Sequence, residues 1–265
     1  MIVPKFRPQT IEAWGEFACF SMPAAKAERF SYAAPTPSAV RGIFDAIYCK
    51  PPEFRWQVDR IEILNPIRYI ALRRNETKEK ASENAIQKWM KGTAEPEPIM
   101  ADADVSYWGS DQRGRTQRQT MALRDVHYRL TAHVVPRPDF EGRIQGIESQ
   151  FRRRAGQGKC VWQPSFGCRE MPAYFRLVEP GEPPAAPEPI SRDLGWMLYD
   201  VFDLATDNHA KIRDKEGRWK PNGWKAVQSA ISVFRAVIHD GVLTVPPYED
   251  ESVRRATDEE VGHAV

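Results

Sequence analysis

The sequence is poor in cysteine and has no long apolar run. None of its four cysteines stands in a C-x-x-C pair or beside a pair of histidines. The sequence therefore predicts neither a zinc site nor a framework of disulfide bonds, and free thiols are the simpler interpretation. It also lacks a stretch of about 18 apolar residues, and its first residues do not contain the apolar core of a signal peptide. We therefore expect no membrane contact and a cytoplasmic location.

Two further absences narrow the function. No glycine-rich phosphate loop and no set of metal ligands stands in the sequence, so we expect no metal and no cofactor, and an enzyme acting on a small molecule is poorly supported.

The net charge is only +2, but residues 249–265 hold six acids against two arginines and leave a basic body. An acidic tail on a basic body is typical of a polyanion-binding protein. An ordinary disordered C-terminus has the same composition, so both interpretations stay open.

The stretch from Thr36 to Pro51 predicts a short amphipathic helix. Thr36 can cap its N-terminus, and Pro37 suits the first helical position. Apolar residues then recur at the i, i+3, i+4 and i+7 spacing of a helix: Val40, Ile43, Phe44 and Ile47. Pro51 ends the helix, so Tyr48 and Lys50 fall at its exit. A phenol and an ammonium group are thus presented together.

The clearest predicted strand runs from Met121 to Val135. Its even-numbered positions are apolar apart from Arg124: Ala122, Val126, Tyr128, Leu130, Ala132 and Val134. Its odd-numbered positions include polar and ionisable residues: Asp125, His127, Arg129, Thr131 and His133. Because side chains alternate between the two faces of a strand, one face should seal a core and the other should offer ionisable groups.

The other predicted elements complete a β-α-β-β-α-β order: strands at 11–20, 54–64, 121–135 and 169–178, with helices at 37–47 and 140–154. This order is that of an α+β, ferredoxin-like or RRM-like domain. We assign it to residues 1–188, with a polar insertion at about 73–120. After a proline-rich linker, strands at 193–202, 230–238 and 242–245 predict a small antiparallel β domain over 189–248. Residues 249–265 are expected to form an acidic, disordered tail.

Three segments, taken in their order, resemble the CRISPR type I-C repeat-processing endoribonucleases, the fifth Cas family within the RAMP superfamily: residues 14–20, 29–51 and 167–175. The resemblance extends from about Thr10 to Pro246. It implies the ferredoxin-like fold with a small C-terminal sheet, and binding to the stem-loop of a CRISPR repeat RNA. It also implies metal-free cleavage at the 3′ base of the stem, retention of the 5′ handle, and assembly with the backbone and large subunits of a type I-C interference complex.

RNA can be cut without a metal when its own 2′-OH attacks the adjacent phosphate. The protein must then orient the attack, move two protons and stabilise the phosphorane. Tyr48 matches the family's catalytic tyrosine, and because phenols titrate near pH ~10 it is better suited to orienting the 2′-OH than to accepting its proton. His127 is the natural proton shuttle. The family also uses a lysine on this strand; none stands between 121 and 135, so Arg124 takes its place in our hypothesis and Lys50 is a possible substitute.

Each of these assignments has a plainer alternative. Tyr48 can simply cover the end of the helix–sheet core, and His127 can be an ordinary histidine on a solvated face. Several basic residues are candidates for contacts with RNA phosphates: Lys26, Arg41, Lys50, Arg113, Arg115, Arg118, Arg152, Arg153, Lys159 and Arg169. The alternative for them is an ordinary charged surface. Three aromatic residues are expected in the core rather than on an RNA-stacking surface: Trp56, Trp162 and Tyr174.

Two other functions stay open at this point. The first is a subunit of the same fold that holds the RNA handle without cutting it, which the missing strand lysine favours. The second is a general nucleic-acid binder with affinity for double-stranded DNA, which basic patches also permit. That binder would show little preference for a repeat hairpin over a random duplex.

Overall fold

A computed structural model describes residues 6–25, 28–78, 82–97, 115–205 and 229–255. The strands are β1 (Gln9–Ala18), β2 (Arg29–Phe30), β3 (Phe54–Ile63), β4 (Tyr69–Thr77), β5 (Arg115–Pro136), β6 (Tyr174–Leu177), β7 (Arg192–Phe202), β8 (Ser229–His239), β9 (Val242–Thr244) and β10 (Arg254–Arg255). The helices are α1 (Pro37–Ile47), α2 (Glu83–Met90) and α3 (Ile144–Gly156), and a 3-10 turn, Glu141–Arg143, precedes α3. None of the described helices is long and apolar enough to cross a membrane.

The centre of the molecule is an antiparallel sheet in the order β3-β5-β1-β6. The helices α1 and α3 pack together on one face of this sheet, where the rings of Phe44 of α1, Trp56 of β3 and Phe151 of α3 all contact one another. The chain order and the strand order are those of a ferredoxin-like fold. The α+β fold class predicted from the sequence is therefore confirmed.

A local sequence signal sets the start of α1, and a contact with α3 holds its end. The hydroxyl of Thr36 accepts a hydrogen bond from the amide of Ala39 at 3.2 Å, which satisfies one of the free amides at the helix start. At the other end, the Nε of Arg154 donates to the carbonyl of Ile47 at 2.7 Å. The C-terminus of α1 is thus tied to the last turn of α3, and the residues that follow it are held in place.

The alternation along β5 reverses at Asp125, which corrects the single alternation expected from Met121 onward. Leu123 and Val126 both lie in the main core, whereas Ala122 belongs to a smaller cluster with Cys19. Asp125 has a left-handed backbone, with φ of 52°. Up to Leu123, β5 pairs with β4, and from Tyr128 onward it pairs with β3. The backbone twists between these two partners, so the side chains that point to the core change from odd-numbered to even-numbered positions. The reversal also explains why Arg124 broke the apolar series.

The predicted insertion contains regular structure that its sequence did not predict. Strand β4 pairs with the first part of β5, from Tyr69 opposite Leu123 to Thr77 opposite Arg115. β5 therefore begins well before Met121. Over residues 73–77 and 115–120, which fall within the predicted insertion, the two strands carry polar residues on both faces, and without an apolar alternation they gave no periodic signal.

The C-terminal strands β7, β8 and β9 are antiparallel, and β9 also hydrogen-bonds to β3 opposite residues 60–62. The sheet of the ferredoxin-like part therefore continues into the C-terminal strands. Of the acidic tail, residues 249–255 are described, and Arg254 and Arg255 pair with β8. The remainder of the tail, 256–265, lies outside the described residues.

Arg41 joins α1 to β7 through a buried ion pair. Its Nε and Nη2 donate to the two carboxylate oxygens of Asp200 at 2.9 and 3.2 Å, and its Nη1 donates to Asp45 at 2.8 Å. Asp200 is only 1% exposed. Burial alone would lower the pKa of Arg41, but the two carboxylates raise it. The guanidinium group is therefore engaged inside the fold, and the expectation that Arg41 contacts RNA is not supported.

Replacing Arg41 should therefore destabilise the protein. The change Arg41→Met leaves the buried carboxylate of Asp200 without its cation, and we expect a loss of about 3 kcal/mol in the free energy of unfolding. Urea unfolding followed by circular dichroism measures it. Arg153→Met, which removes an exposed arginine of α3, is the matched control and should change stability by less than about 0.5 kcal/mol. Equal stabilities of the two variants would show that the ion pair does not support the fold.

Candidate functional site

The exit of α1 opens into a cleft of about 570 Å³ between α1 and the start of α3. The residues that line it come from both sides: Tyr48, Lys50, Glu53, Gly142, Arg143, Gly146, Ile147 and Gln150. Tyr48 closes α1, because its amide donates to the carbonyl of Phe44 at 2.9 Å. Its ring packs on Phe54 with 5.5 Å between the ring centroids. The phenol is therefore fixed on the core at its base and lies in the wall of the cleft.

Two cations of this cleft share one carboxylate. The Nζ of Lys50 lies 3.1 Å from Glu53, and the Nη1 of Arg143 lies 3.6 Å from the same oxygen. The hydrogen bond to Glu53, followed by the neighbouring Tyr48, raises the pKa of Lys50 above its ordinary value. Lys50 is therefore protonated at neutral pH, so it has a proton to donate and cannot accept one. With the carboxylate of Glu53 counted, Lys50 and Arg143 leave one net positive charge in the cleft, beside the phenol of Tyr48.

His127 lies on the opposite face of the sheet. Its Nε2 is 3.5 Å from a carboxylate oxygen of Glu12, and its ring meets Trp14 edge-on at 6.0 Å. Burial lowers the pKa of His127 below its ordinary value, although Glu12 opposes this shift. The imidazole is therefore neutral at neutral pH.

The proposed catalytic residues do not come together. Tyr48 packs on Phe54, and Phe54 pairs with Pro136 of β5, nine residues after His127. At about 3.3 Å per residue this separation is about 30 Å along the strand, and the two side chains also lie on different faces. Arg124 is exposed and donates to Asp125 at 3.0 Å. One phosphate cannot contact both Tyr48 and His127. This finding corrects the expectation that Tyr48, His127 and Arg124 form one catalytic site.

Lys50, the substitute for the missing lysine, is the predicted residue that the structure does place beside Tyr48. The cleft adds Arg143 and Gln150, which sequence reasoning missed. Arg143 stood in the first turn of the predicted helix at 140–154, and no local pattern distinguishes it from other surface arginines. Its role depends on the docking of α3 against the exit of α1, which is a tertiary contact.

The remaining predicted RNA contacts are scattered over the surface. Arg115 and Arg118 lie on the β4–β5 hairpin, opposite Thr77 and Arg74. Arg152 pairs with Glu179 at 2.9 Å, and the predicted neighbours on and after α3 are exposed: Arg153 and Lys159. Arg169 is exposed in the turn before β6. Lys26 and Arg113 lie outside the described residues.

The expected core positions of three aromatic residues are only partly correct. Trp56 is fully buried, as predicted. Trp162 and Tyr174 are 49% and 57% exposed, so the prediction was wrong for both. Tyr174 belongs to β6, and its side chain lies on the face of the sheet away from the helices, beside Trp14.

A buried ion network lies on this second face. Glu12 is 5% exposed and accepts hydrogen bonds from Arg129 at 3.0 Å and from Arg176 at 2.7 Å. Burial alone would raise the pKa of Glu12, but these two guanidinium groups lower it below its ordinary value. Arg129 reaches Glu62 at 3.6 Å as well. Among the described residues, no group of three or more histidines, cysteines and acids is placed to hold a metal ion.

Comparisons with known proteins agree on one family. A family model described as "CRISPR-associated protein (Cas_Cas5)" matches residues 10–246. The chain is 35% identical over 253 residues to the CRISPR pre-crRNA endoribonuclease Cas5d of Mannheimia succiniciproducens, covering 92% of this chain and 97% of that protein. It is 34% identical over 255 residues to the protein of the same name from Thermus thermophilus, covering 96% of each. A solved structure described as "Crystal Structure of CRISPR-associated Protein" has the same fold, with a TM-score of 0.57, 20% identity and coverage of 94% and 96% of the two chains.

The ion network on the second face predicts a pH dependence of stability. Because the folded protein holds the pKa of Glu12 below its value in the unfolded chain, its ion pairs stabilise the fold above about pH 4.5 and lose this effect as the pH falls through the folded pKa. Glu12→Gln should cost about 3 kcal/mol at pH 7, because it leaves Arg129 and Arg176 without this partner.

The stability difference between the wild type and Glu12→Gln should then shrink between about pH 5 and pH 3. Thermal unfolding at a series of pH values measures it. Glu16→Gln removes an exposed carboxylate from the same strand and is the control. A constant difference between the wild type and Glu12→Gln over this range would contradict the prediction.

Proposed function

The chain belongs to the Cas5 family of CRISPR-associated proteins, and we propose on this basis that it is an endoribonuclease that cuts the repeat stem-loop of precursor CRISPR RNA. The observation that carries the proposal is the 35% identity, over 92% of the chain, to a protein named as a pre-crRNA endoribonuclease. The Tyr48 cleft supports it, because a phenol and two cations around an open volume suit the chemistry of a phosphodiester.

In the proposed reaction, the 2′-OH beside the scissile bond attacks the phosphorus and the 5′-oxygen leaves. The products are a 2′,3′-cyclic phosphate and a free 5′-OH. Tyr48 orients the 2′-OH through its hydroxyl. Lys50 and Arg143 balance the charge that develops on the phosphorane, and Lys50 donates a proton to the leaving oxygen. This chemistry requires no metal ion.

The proton of the 2′-OH needs an acceptor in the same cleft. Glu53 is the one carboxylate among the described residues that line it, and its contacts with Lys50 and Arg143 hold it there. We therefore assign proton acceptance to Glu53. His127 takes no part in the reaction, because it lies about 30 Å away along β5.

The proposal extends to the fate of the RNA after the cut. The protein retains the 5′ handle of the product and assembles with the backbone and large subunits of a type I-C interference complex, in the cytoplasm. The exposed arginines of the β4–β5 hairpin and of α3 are the proposed contacts with the RNA backbone. Their contribution should weaken with salt, as contacts with phosphates do.

The assignment predicts which variants stop cleavage. Purified protein in excess over a CRISPR repeat RNA from its own genome, with EDTA present, should make one cut. Tyr48→Phe, Lys50→Met and Glu53→Gln should each lower the single-turnover rate by about 10²- to 10⁴-fold, because each removes a group that acts in the transition state. Their affinities for the uncut RNA should change by less than about 3-fold. His127→Ala should cut within about 3-fold of the wild-type rate.

Two controls complete the assay. Lys91→Met removes an exposed lysine at the end of α2 and should leave the rate unchanged. An RNA with a 2′-deoxy nucleotide at the scissile position should bind and remain intact. Loss of cleavage in His127→Ala with normal cleavage in Tyr48→Phe would contradict the assignment of the site.

The same assay separates the rival functions. Tight binding of the repeat RNA without any cut would indicate a subunit that only holds the handle. Equal affinity for the repeat hairpin, a random RNA duplex and double-stranded DNA would indicate a general nucleic-acid binder. A cut that occurs without EDTA and disappears when EDTA is added would contradict only the claim that the reaction needs no metal ion.

A further inference from the structure

Three aromatic rings form a row across neighbouring strands on the face of the sheet away from the helices. Trp14 of β1 lies directly opposite His127 of β5 on one side and Tyr174 of β6 on the other. The rings of Trp14 and Tyr174 are 6.5 Å apart and inclined by 29°, and His127 meets Trp14 edge-on. Trp14 is 38% exposed and Tyr174 57% exposed. We refer to these three residues as the aromatic row.

The neighbouring row of the same face is electrically balanced, and three of its four residues, Glu12, Arg129 and Glu62, are buried. Arg176, Glu12, Arg129 and Glu62 follow one another across the sheet as alternating charges. The segment after β6 lies over them, since the carbonyl of Ala185 accepts a hydrogen bond from Arg129 and Glu182 pairs with Arg176. This cover leaves Trp14 and Tyr174 open. The chain thus places its own segment over the charges and not over the aromatic rings.

We propose that the aromatic row stacks unpaired bases of the single-stranded RNA that flanks the repeat stem, an inference that rests on the proposed function for the identity of the RNA. Solvent-exposed aromatic rings on the open face of a four-stranded sheet of this topology present π-faces to bases, whatever their sequence. Bases within a duplex are already stacked on one another. The row therefore selects single-stranded RNA.

The surroundings of the row favour bases over a protein partner. Glu12 and Arg176 occupy the neighbouring positions of the same face, and Arg124 and Asp125 form an exposed ion pair nearby along β5. Phe17, which lies opposite Arg124, packs against the small apolar cluster around Ala122. The core of a protein–protein interface needs an apolar patch from which water is excluded. A base has polar edges around a flat apolar face, so it can stack on the rings while its edges contact the polar rim.

The row and the cleft serve different parts of the RNA. His127 lies about 30 Å along β5 from the end of the strand that packs near Tyr48, and on the other face. The nucleotides held by the row are therefore not those at the scissile bond. The row anchors flanking RNA, and its loss should weaken binding without changing the rate of cleavage of RNA that is already bound.

Binding by stacking differs from binding to phosphates in how the Kd depends on salt concentration. The cations beside the row are paired, Arg124 with Asp125 and Arg176 with Glu12 and Glu182. Removing a ring therefore changes no contact with a phosphate. The slope of log Kd against log salt should stay the same when the affinity falls.

Equilibrium binding to three RNA probes tests the proposal: an oligouridine, the repeat hairpin with its single-stranded flanks, and the same hairpin without flanks. Each hairpin carries a 2′-deoxy nucleotide at the scissile position. Trp14→Ala and Tyr174→Ala should each raise the Kd for oligouridine and for the flanked hairpin by about 5- to 100-fold, the effect of one lost stacked base. The Kd for the hairpin without flanks should change by less than about 2-fold.

Trp14→Phe should recover most of the lost affinity, because it keeps an aromatic face. Trp196→Ala removes a tryptophan that is 48% exposed on β7 and should leave all three Kd values unchanged. An equal loss on all three probes, or a loss that Trp14→Phe does not recover, would contradict stacking and indicate a structural role for Trp14. Unchanged affinity of Trp14→Ala and Tyr174→Ala for the flanked hairpin and oligouridine would also contradict it.

The two proposals fail in different ways. If the wild type cuts the repeat RNA and the ring variants bind all probes normally, stacking is wrong and the endoribonuclease stands. If the wild type neither cuts nor prefers the repeat hairpin, and Trp14→Ala still loses affinity for oligouridine, the proposed function is wrong and the stacking surface stands.

Discussion

Hydrogen bonds join β5 to four other strands, and they determine how the described part of the chain is arranged. β5 pairs with β1, β2, β3 and β4, and its alternating side chains divide the structure into two faces. One face carries the core, the helices and, at its end, the cleft of Tyr48. The other carries the ion network around Glu12 and the aromatic row. Tyr48 lies on the helix side of the sheet and His127 on the opposite face. The imidazole of His127 is therefore not part of the proposed site at Tyr48.

Burial determines which cations remain available to an anionic ligand. Arg41 is held by two carboxylates between α1 and β7, Arg129 lies under the segment after β6, and Arg154 donates to the end of α1. The guanidinium groups of these arginines are engaged in contacts within the fold. Lys50 and Arg143 differ because they share one partner, Glu53, at the wall of an open cleft. A count of basic residues in the sequence therefore overstates the surface that can meet RNA phosphates.

The sequence predicted those features that depend on local periodicity. The cap at Thr36, the apolar stripe of α1, the alternation of β5 after Asp125 and the order of the elements all report which face of an element is apolar. Features that depend on tertiary docking were not predictable. Asp200 is separated from Arg41 by most of the chain, and Arg143 meets the exit of α1 only because α3 packs there. Tyr174 and Trp162 were expected in the core because large aromatic residues usually are, and nothing local shows that their faces stay uncovered.

The most direct test of the central claim is to locate the scissile phosphate on the protein. A repeat RNA with a 2′-deoxy nucleotide at the scissile position and a photoreactive nucleotide beside it would be crosslinked to the intact protein. Mass spectrometry of the digested adduct would then identify the attached peptide. The account predicts attachment within residues 48–53 or 142–150, the two walls of the cleft. Attachment confined to β5 around His127 would contradict it and place the reaction on the opposite face of the sheet.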